Sequence, residues 1–241
     1  MKRLLLAKKT IQRTRPSSAP FRTAFFLLLF LFTTECFAQQ QSDSAAQAYK
    51  KTVTERAAKI VNGLNLPADQ STNITAIIAS QYIALNSIHD ADKAARAALK
   101  SSGLSKEDEK TAADKLDEAK TIRLGELHRN FLTALSGELA PEQVEQVKDG
   151  MTYRIFPVTY TAYLDMLPRL TEEQRAQIFA WLKEARELAM DEGTSERKHA
   201  VFGKYKGRIN NYLSAAGYDM KKEGEEWQKR IKERDRNKAG G

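Results

Sequence analysis

Four residues recur at helical spacing in the stretch "KHAVFGKYKGRINNYLSAAGYD", 198–219: His199, Gly203, Lys206 and Asn210, at i, i+4, i+7 and i+11. An imidazole, an ammonium and an amide in one line could bond sugar hydroxyls or a uronate carboxylate. The stripe borders an apolar arc of Phe202, Ile209 and Leu213, with Tyr205 and Tyr212 adjoining. Gly203 and Gly207 each cost a helix about 1 kcal/mol relative to alanine, so another backbone or a ligand is expected to approach there. If it is a backbone, a neighbouring helix packs on the two glycines and Lys206 carries its charge out to water. A second concentration is "MTYRIFPVTYTAY", with Tyr153, Phe156, Tyr160 and Tyr163. Tyrosines offer flat faces and hydroxyls to a sugar, and they equally suit a helical core with a wet edge. The candidate ligand-binding set is Tyr160, Tyr163, His199, Lys206 and Asn210.

Catalytic signatures are missing. The chain has no G-x-S-x-G, no H-E-x-x-H, no glycine loop for phosphate and no helix–loop–helix calcium motif. His89, His128 and His199 fall on three different predicted helices, so no metal site is expected, and no cofactor. Glycoside hydrolysis needs only two carboxylates facing a cleft, which leaves an enzyme open as an alternative. Arg186 borders the apolar face of its helix and reads as a surface ion-pair partner. Lys148 and Asp149, beside Gly150, read as a polar helix end or a functional loop.

The elements that must position these residues lie downstream of an unusual start. Residues 1–22 hold seven basic residues and no acid, then comes "FFLLLFLF" (25–32) and "TTECFAQQQ". A basic start, a short apolar stretch and a small residue at the cut describe a secretory signal peptide. The expected cut follows Ala38. A lipoprotein signal acylated on Cys36 is the main rival, but Glu35 stands where a small residue is wanted. An uncleaved anchor is the third possibility, although the apolar run is far short of the ~20 residues of a spanning helix. Residues 1–38 carry seven of the 39 basic residues and one of the 31 acidic ones. With 32 and 30 remaining, the net charge of +8 falls to +2, and no domain-wide basic field favours nucleic acid. The single cysteine leaves with the signal, so no disulfide framework remains. The expected localisation is periplasmic or secreted, with no transmembrane segment after cleavage.

After a disordered start at 39–43, alanine, glutamate, lysine and leucine recur, glycine and proline are sparse, and β-branched runs are nearly absent. This predicts an all-α protein, a single-domain bundle of seven or eight helices over 44–234, then a flexible basic tail over 235–241. Its length allows one ordinary core or two small ones. The first helix, 44–62, ends with Gly63 in a left-handed cap. The second, 68–101, has a stripe of Ile74, Ile77, Ile78, Gln81, Leu85, Ile88, Ala95 and Leu99. Ser105 and Asp108 start the third, which runs to Gly137. A short fourth has Pro141 in its first turn and Gly150 after its end. Residues 151–156 are ambiguous because Pro157 disfavours helix just before it. Helices at 157–167, 172–191 (capped by Thr171 with Gln174), 195–214 and 220–234 complete the chain. The similar starts "LAPEQ" and "LTEEQ" are read as capping sequences rather than an internal repeat.

"VKDGMTY" (147–153), "LPRLTEEQ" (167–174), "EARELAMDEG" (184–193) and "KHAVFGKYKGRINNYLSAAGYDMKKEGEEW" (198–227) resemble a family of secreted helical proteins of Bacteroidota. That family is catalogued both as a domain of unknown function and as sugar-binding. The resemblance implies a secreted role near carbohydrate uptake or breakdown and brings no catalytic residues. The combined expectation is an exported, non-enzymatic helical protein with carbohydrate as partner. The alternatives are a glycan-acting enzyme with an unrecognised acid pair and a periplasmic chaperone-like module using exposed apolar helix faces. The oligomeric state is left open.

Overall fold

Helix-capping chemistry punctuates the chain much as its sequence implies. The computed structural model describes residues 44–239; the expected signal peptide, its expected cut after Ala38 and the expected disordered start at 39–43 lie outside them. Helix α1 spans 44–61 and runs into a 3₁₀ turn, Asn62–Leu64. There follow α2 (Ala68–Lys100), α3 (Lys106–Ser136), α4 (Pro141–Met151), α5 (Ile155–Met166), α6 (Glu172–Met190), α7 (Ser195–Ala215) and α8 (Met220–Ala239). The fold is all-α, and no strand occurs among the described residues. None of these helices is long and apolar enough to cross a membrane.

Ser105 Oγ accepts the Asp108 N–H at 3.2 Å, and Thr171 and Gln174 exchange the two bonds of a full capping box. Three predicted ends move. Asn65, at φ 53°, takes the left-handed position expected of Gly63, because the 3₁₀ turn carries the chain two residues further. Gly150 lies inside α4 rather than beyond it. A Cβ there would sit 2.8 Å from Ile60 Cγ2, so the missing side chain lets α1 lie against α4. Helix α8 continues to Ala239, past the expected end at 234. Two of its basic residues have a partner: Arg230 donates to the carbonyls of Asp165 (3.2 Å) and Met166 (3.0 Å), and Arg234 reaches both Asp165 oxygens. Cations thus settle on the negative end of α5.

Two apolar clusters form. The first gathers Val53, Ala57 and Val61 of α1, Ile74 and Ile78 of α2, Phe131 and Leu135 of α3, and Val144, Val147 and Met151 of α4. The second gathers Phe156 and Tyr163 of α5, Ile178, Leu182, Ala185 and Ala189 of α6, and Phe202, Ile209 and Leu213 of α7. The α6 set repeats at i, i+4, i+7 and i+11 and is fully buried, so truncating Ile178 or Leu182 to alanine costs about 2–5 kcal/mol. Beyond Ile88 on α2 and before Phe131 on α3 no residue is buried. There the two helices form an exposed pair joined by charges. Asp92 takes Lys120 at 3.1 Å and Arg96 at 3.0 Å, and Arg96 also reaches Asp117.

Candidate functional sites

Contact between α4 and α6 joins Met190 of α6 to the first cluster and, alongside it, builds a seam of charges. Arg186 of α6 has 1% of its surface exposed and donates to Asp149 Oδ1 (2.7 Å), Glu187 Oε1 (3.1 Å) and Glu145. Its guanidinium also lies over the Phe156 ring, 5.0 Å from the centroid. Lys148, likewise buried, pairs with Glu145 at 3.1 Å and Glu187 at 3.2 Å. Arg186 is therefore not the surface residue expected. A helix-face pattern shows that it borders the core, but not that three carboxylates meet it inside.

The network continues to His128 of α3, which bonds Asp191 at 3.0 Å and approaches Glu187 at 3.5 Å. Hydrogen bonds to Asp191 and Glu187 raise the imidazole to about 9. Burial pushes the Glu187 carboxyl up, but the bond from His128 and the charges of Lys148 and Arg186 outweigh it and bring it to about 2. His89 Nε2 contacts the Asp191 carbonyl at 2.7 Å, so two of the three histidines meet at one residue. Lys198, 3% exposed, donates to the carbonyls of Ala189 (2.8 Å) and Met190 (3.0 Å), and burial lowers it to about 8. These buried charges are paired through most of their donors, although Arg186 Nε and His89 Nδ1 are buried without a partner among the described residues. Replacing one partner of such a network costs more than the intact network contributes.

What they fix is the α4–α5 turn. Tyr153 and Arg154 both have φ 57°, adjacent non-glycine residues in the left-handed region. Such residues cost about 1–3 kcal/mol each and persist only where the surroundings over-determine them. Here the Arg154 N–H donates to the Asp149 carbonyl at 2.7 Å, and Thr152 Oγ1 donates to the Lys148 carbonyl at 2.9 Å. The residues that hold the turn are thus the residues held by Arg186 and Glu187. Beside it opens a groove of about 790 Å³, lined by Glu55, Arg56 and Lys59 of α1 and by Gln146, Asp149, Tyr153 and Arg154.

The five predicted ligand residues divide. Tyr163, Lys206 and Asn210 come together in a second groove, of about 340 Å³, between α5, α7 and α8. Tyr163 Oη donates to Asn210 Oδ1 at 2.7 Å, and Met166, Met220 and Trp227 supply apolar wall. Tyr160 is elsewhere, edge-on to Phe179 at 5.3 Å, as part of the second cluster's packing. His199 is elsewhere too, stacked on Tyr153 at 5.6 Å with Nδ1 on the Ser195 carbonyl. Nothing lies within 4 Å of a Cβ placed on Gly203 or Gly207, so no neighbouring helix packs on those glycines and that expectation fails; the space beside them is open. Sequence reasoning missed Trp227 as a groove wall, and Arg56, Lys59 and Arg154 altogether. Exposed cations on a helix face have no signature that separates them from a solvated surface.

An all-α helical protein with open surface grooves and a charged seam between α4 and α6 is the class this architecture defines. The chain belongs to the family described as Protein of unknown function (DUF3826), which matches residues 50–233. No curated protein matches the chain in sequence.

Proposed function

We propose that the protein is exported and binds carbohydrate, without turning it over, in the groove between α5, α7 and α8. The observation that carries this reading is the Tyr163–Asn210 hydrogen bond. By occupying Asn210 Oδ1, the buried tyrosine leaves the amide's Nδ2 as a donor next to Lys206, one helical turn away on the same wall. Trp227, Met166 and Met220 offer apolar surface alongside. A sugar has the matching duality, with C–H faces for the apolar wall and hydroxyls or a carboxylate for the donors. None of the described residues lining this groove is a carboxylate, which favours binding over acid–base cleavage. The signal-like start supports export.

The test is a glycan array followed by calorimetry on the chain from Gln39. Asn210→Ala and Trp227→Ala should each weaken the best glycan about tenfold or more, the loss expected for a hydrogen bond or stacking contact of 1.4 kcal/mol and above. Melting temperature should fall by only a few degrees, the cost of losing the Tyr163–Asn210 hydrogen bond in Asn210→Ala, and His199→Ala should bind normally. Release of product from a polysaccharide would overturn the non-enzymatic reading. Glycan binding unaffected by both variants would overturn the site.

A further inference from the structure

We propose that the groove between α1 and the α4–α5 turn is a second, separate site, for a small ligand carrying an oxyanion group: a carboxylate, sulfate or phosphate. The first support is uncommitted charge. Arg56, Lys59 and Arg154 line the groove, and none is in an ion pair with a carboxylate among the described residues. Two acids share it, but Asp149 is neutralised by Arg186 from behind. That leaves Glu55 against three cations. Arg56 is held with its guanidinium 5.5 Å from the Tyr82 ring centroid, which orients the fork while leaving its donors free.

A second support is how the groove is built. Arg56 and Lys59 are one turn apart on α1, and Ile60 of the same helix seats against Gly150. That contact brings the two cations beside the left-handed turn. Tyr153 is 43% exposed, with His199 stacked on its ring at 5.6 Å. Backbone in a rarely populated region, kept there by a buried ionic network and presenting an aromatic and a cation to a groove, is a pattern of binding sites. Gln146 and Glu55 supply an amide and a carboxylate for hydroxyls or amines on the remainder of the ligand.

The experiment titrates the chain from Gln39 with three probes at low ionic strength: a uronate disaccharide, a sulfated disaccharide and inorganic phosphate. The neutral parent disaccharide is the control. Saturable binding of at least one anion, weakened about tenfold or more by the Arg56→Ala/Lys59→Ala double variant, supports the site, and the tightest probe identifies the oxyanion. The same binding should weaken about as much in Arg154→Ala and fall with added salt. Trp227→Ala and Asn210→Ala leave it intact, so this site and the carbohydrate groove fail separately. No saturable binding of any anion, or binding that the double variant retains in full, overturns the proposal.

Discussion

Arg186 Nη1 donates to Asp149 Oδ1 across 2.7 Å in a place where the arginine has almost no contact with water. Asp149 in turn offers its carbonyl to the N–H of Arg154 at 2.7 Å. A buried ion pair between α4 and α6 is thereby one hydrogen bond away from the strained turn that shapes a surface groove.

Removing that arginine's charge should be costly. Arg186→Met leaves Asp149 and part of Glu145 without their cation, and breaking a buried pair costs about 3–5 kcal/mol. At roughly 2–4 °C per kcal/mol for a chain of this size, the melting point should fall on the order of 10 °C. Arg186→Lys keeps charge but lacks the fork that reaches three carboxylates, so it should fall between the two. Thermal denaturation of the three proteins checks the order; a melting point for Arg186→Met equal to the parent would show the network to be dispensable.

Stability should also depend on pH in opposite directions at the two ends. The His128 value of about 9 lies above its ordinary 6.5, so its contribution is complete below pH 6.5 and is lost as pH rises through 9. The Glu187 value of about 2 lies below its ordinary 4.5, so its contribution is complete above 4.5 and is lost as pH falls toward 2. Lys198 opposes His128: buried and lowered from 10.5 to about 8, its penalty for holding a proton fades between 8 and 10.5. Urea midpoints from pH 3 to 10 should therefore be highest between pH 4.5 and 6.5. In His128→Gln the alkaline decline should vanish and reverse above pH 8 as Lys198 deprotonates.

Glycines in similar helical settings should respond with opposite signs. Gly150→Ala drives a Cβ to 2.8 Å from Ile60 and should destabilise by about 1–3 kcal/mol, the cost of overpacking. Adding Ile60→Ala should recover part of that loss. Gly203→Ala and Gly207→Ala meet nothing within 4 Å and should each stabilise by up to about 1 kcal/mol through helix propensity. Denaturant titration of the single variants separates the cases. A destabilising Gly203→Ala would mean that something does approach that face.

Arg154→Gly should stabilise the chain, since glycine adopts φ 57° without the penalty an arginine incurs, a gain of about 1 kcal/mol. The same substitution removes one of the three cations of the α1 groove. A higher melting point together with weaker anion binding is the expected signature. A lower melting point would mean that the arginine side chain makes up for its backbone.

The helices and several of their ends could be read from the sequence because their causes are local. Ser105, Thr171 and Pro141 act within one turn, and the stripes Ile74–Ile78 on α2 and Ile178–Leu182–Ala185–Ala189 on α6 follow from a period that each segment carries by itself. Two of the five candidate ligand residues were local too: Lys206 and Asn210 share a helix face whatever surrounds them. The rest depended on which faces meet. Whether a glycine permits close packing is a property of the opposite helix, so Gly150 and Gly203 look alike until Ile60 is found beside one and open space beside the other. Arg186 became a buried hub because α4 brings Glu145 and Asp149 to it, and Tyr153 and Arg154 could turn left-handed because those same charges pin the backbone before them. Tyr160 and His199 lie outside the groove between α5, α7 and α8 for the same reason, one packed on Phe179 of α6 and the other on Tyr153 of the α4–α5 turn. Short-range steric and capping terms act along the chain and are written in it; the positions of charges and rings relative to one another are set by packing across tens of residues, and only the folded structure decides them.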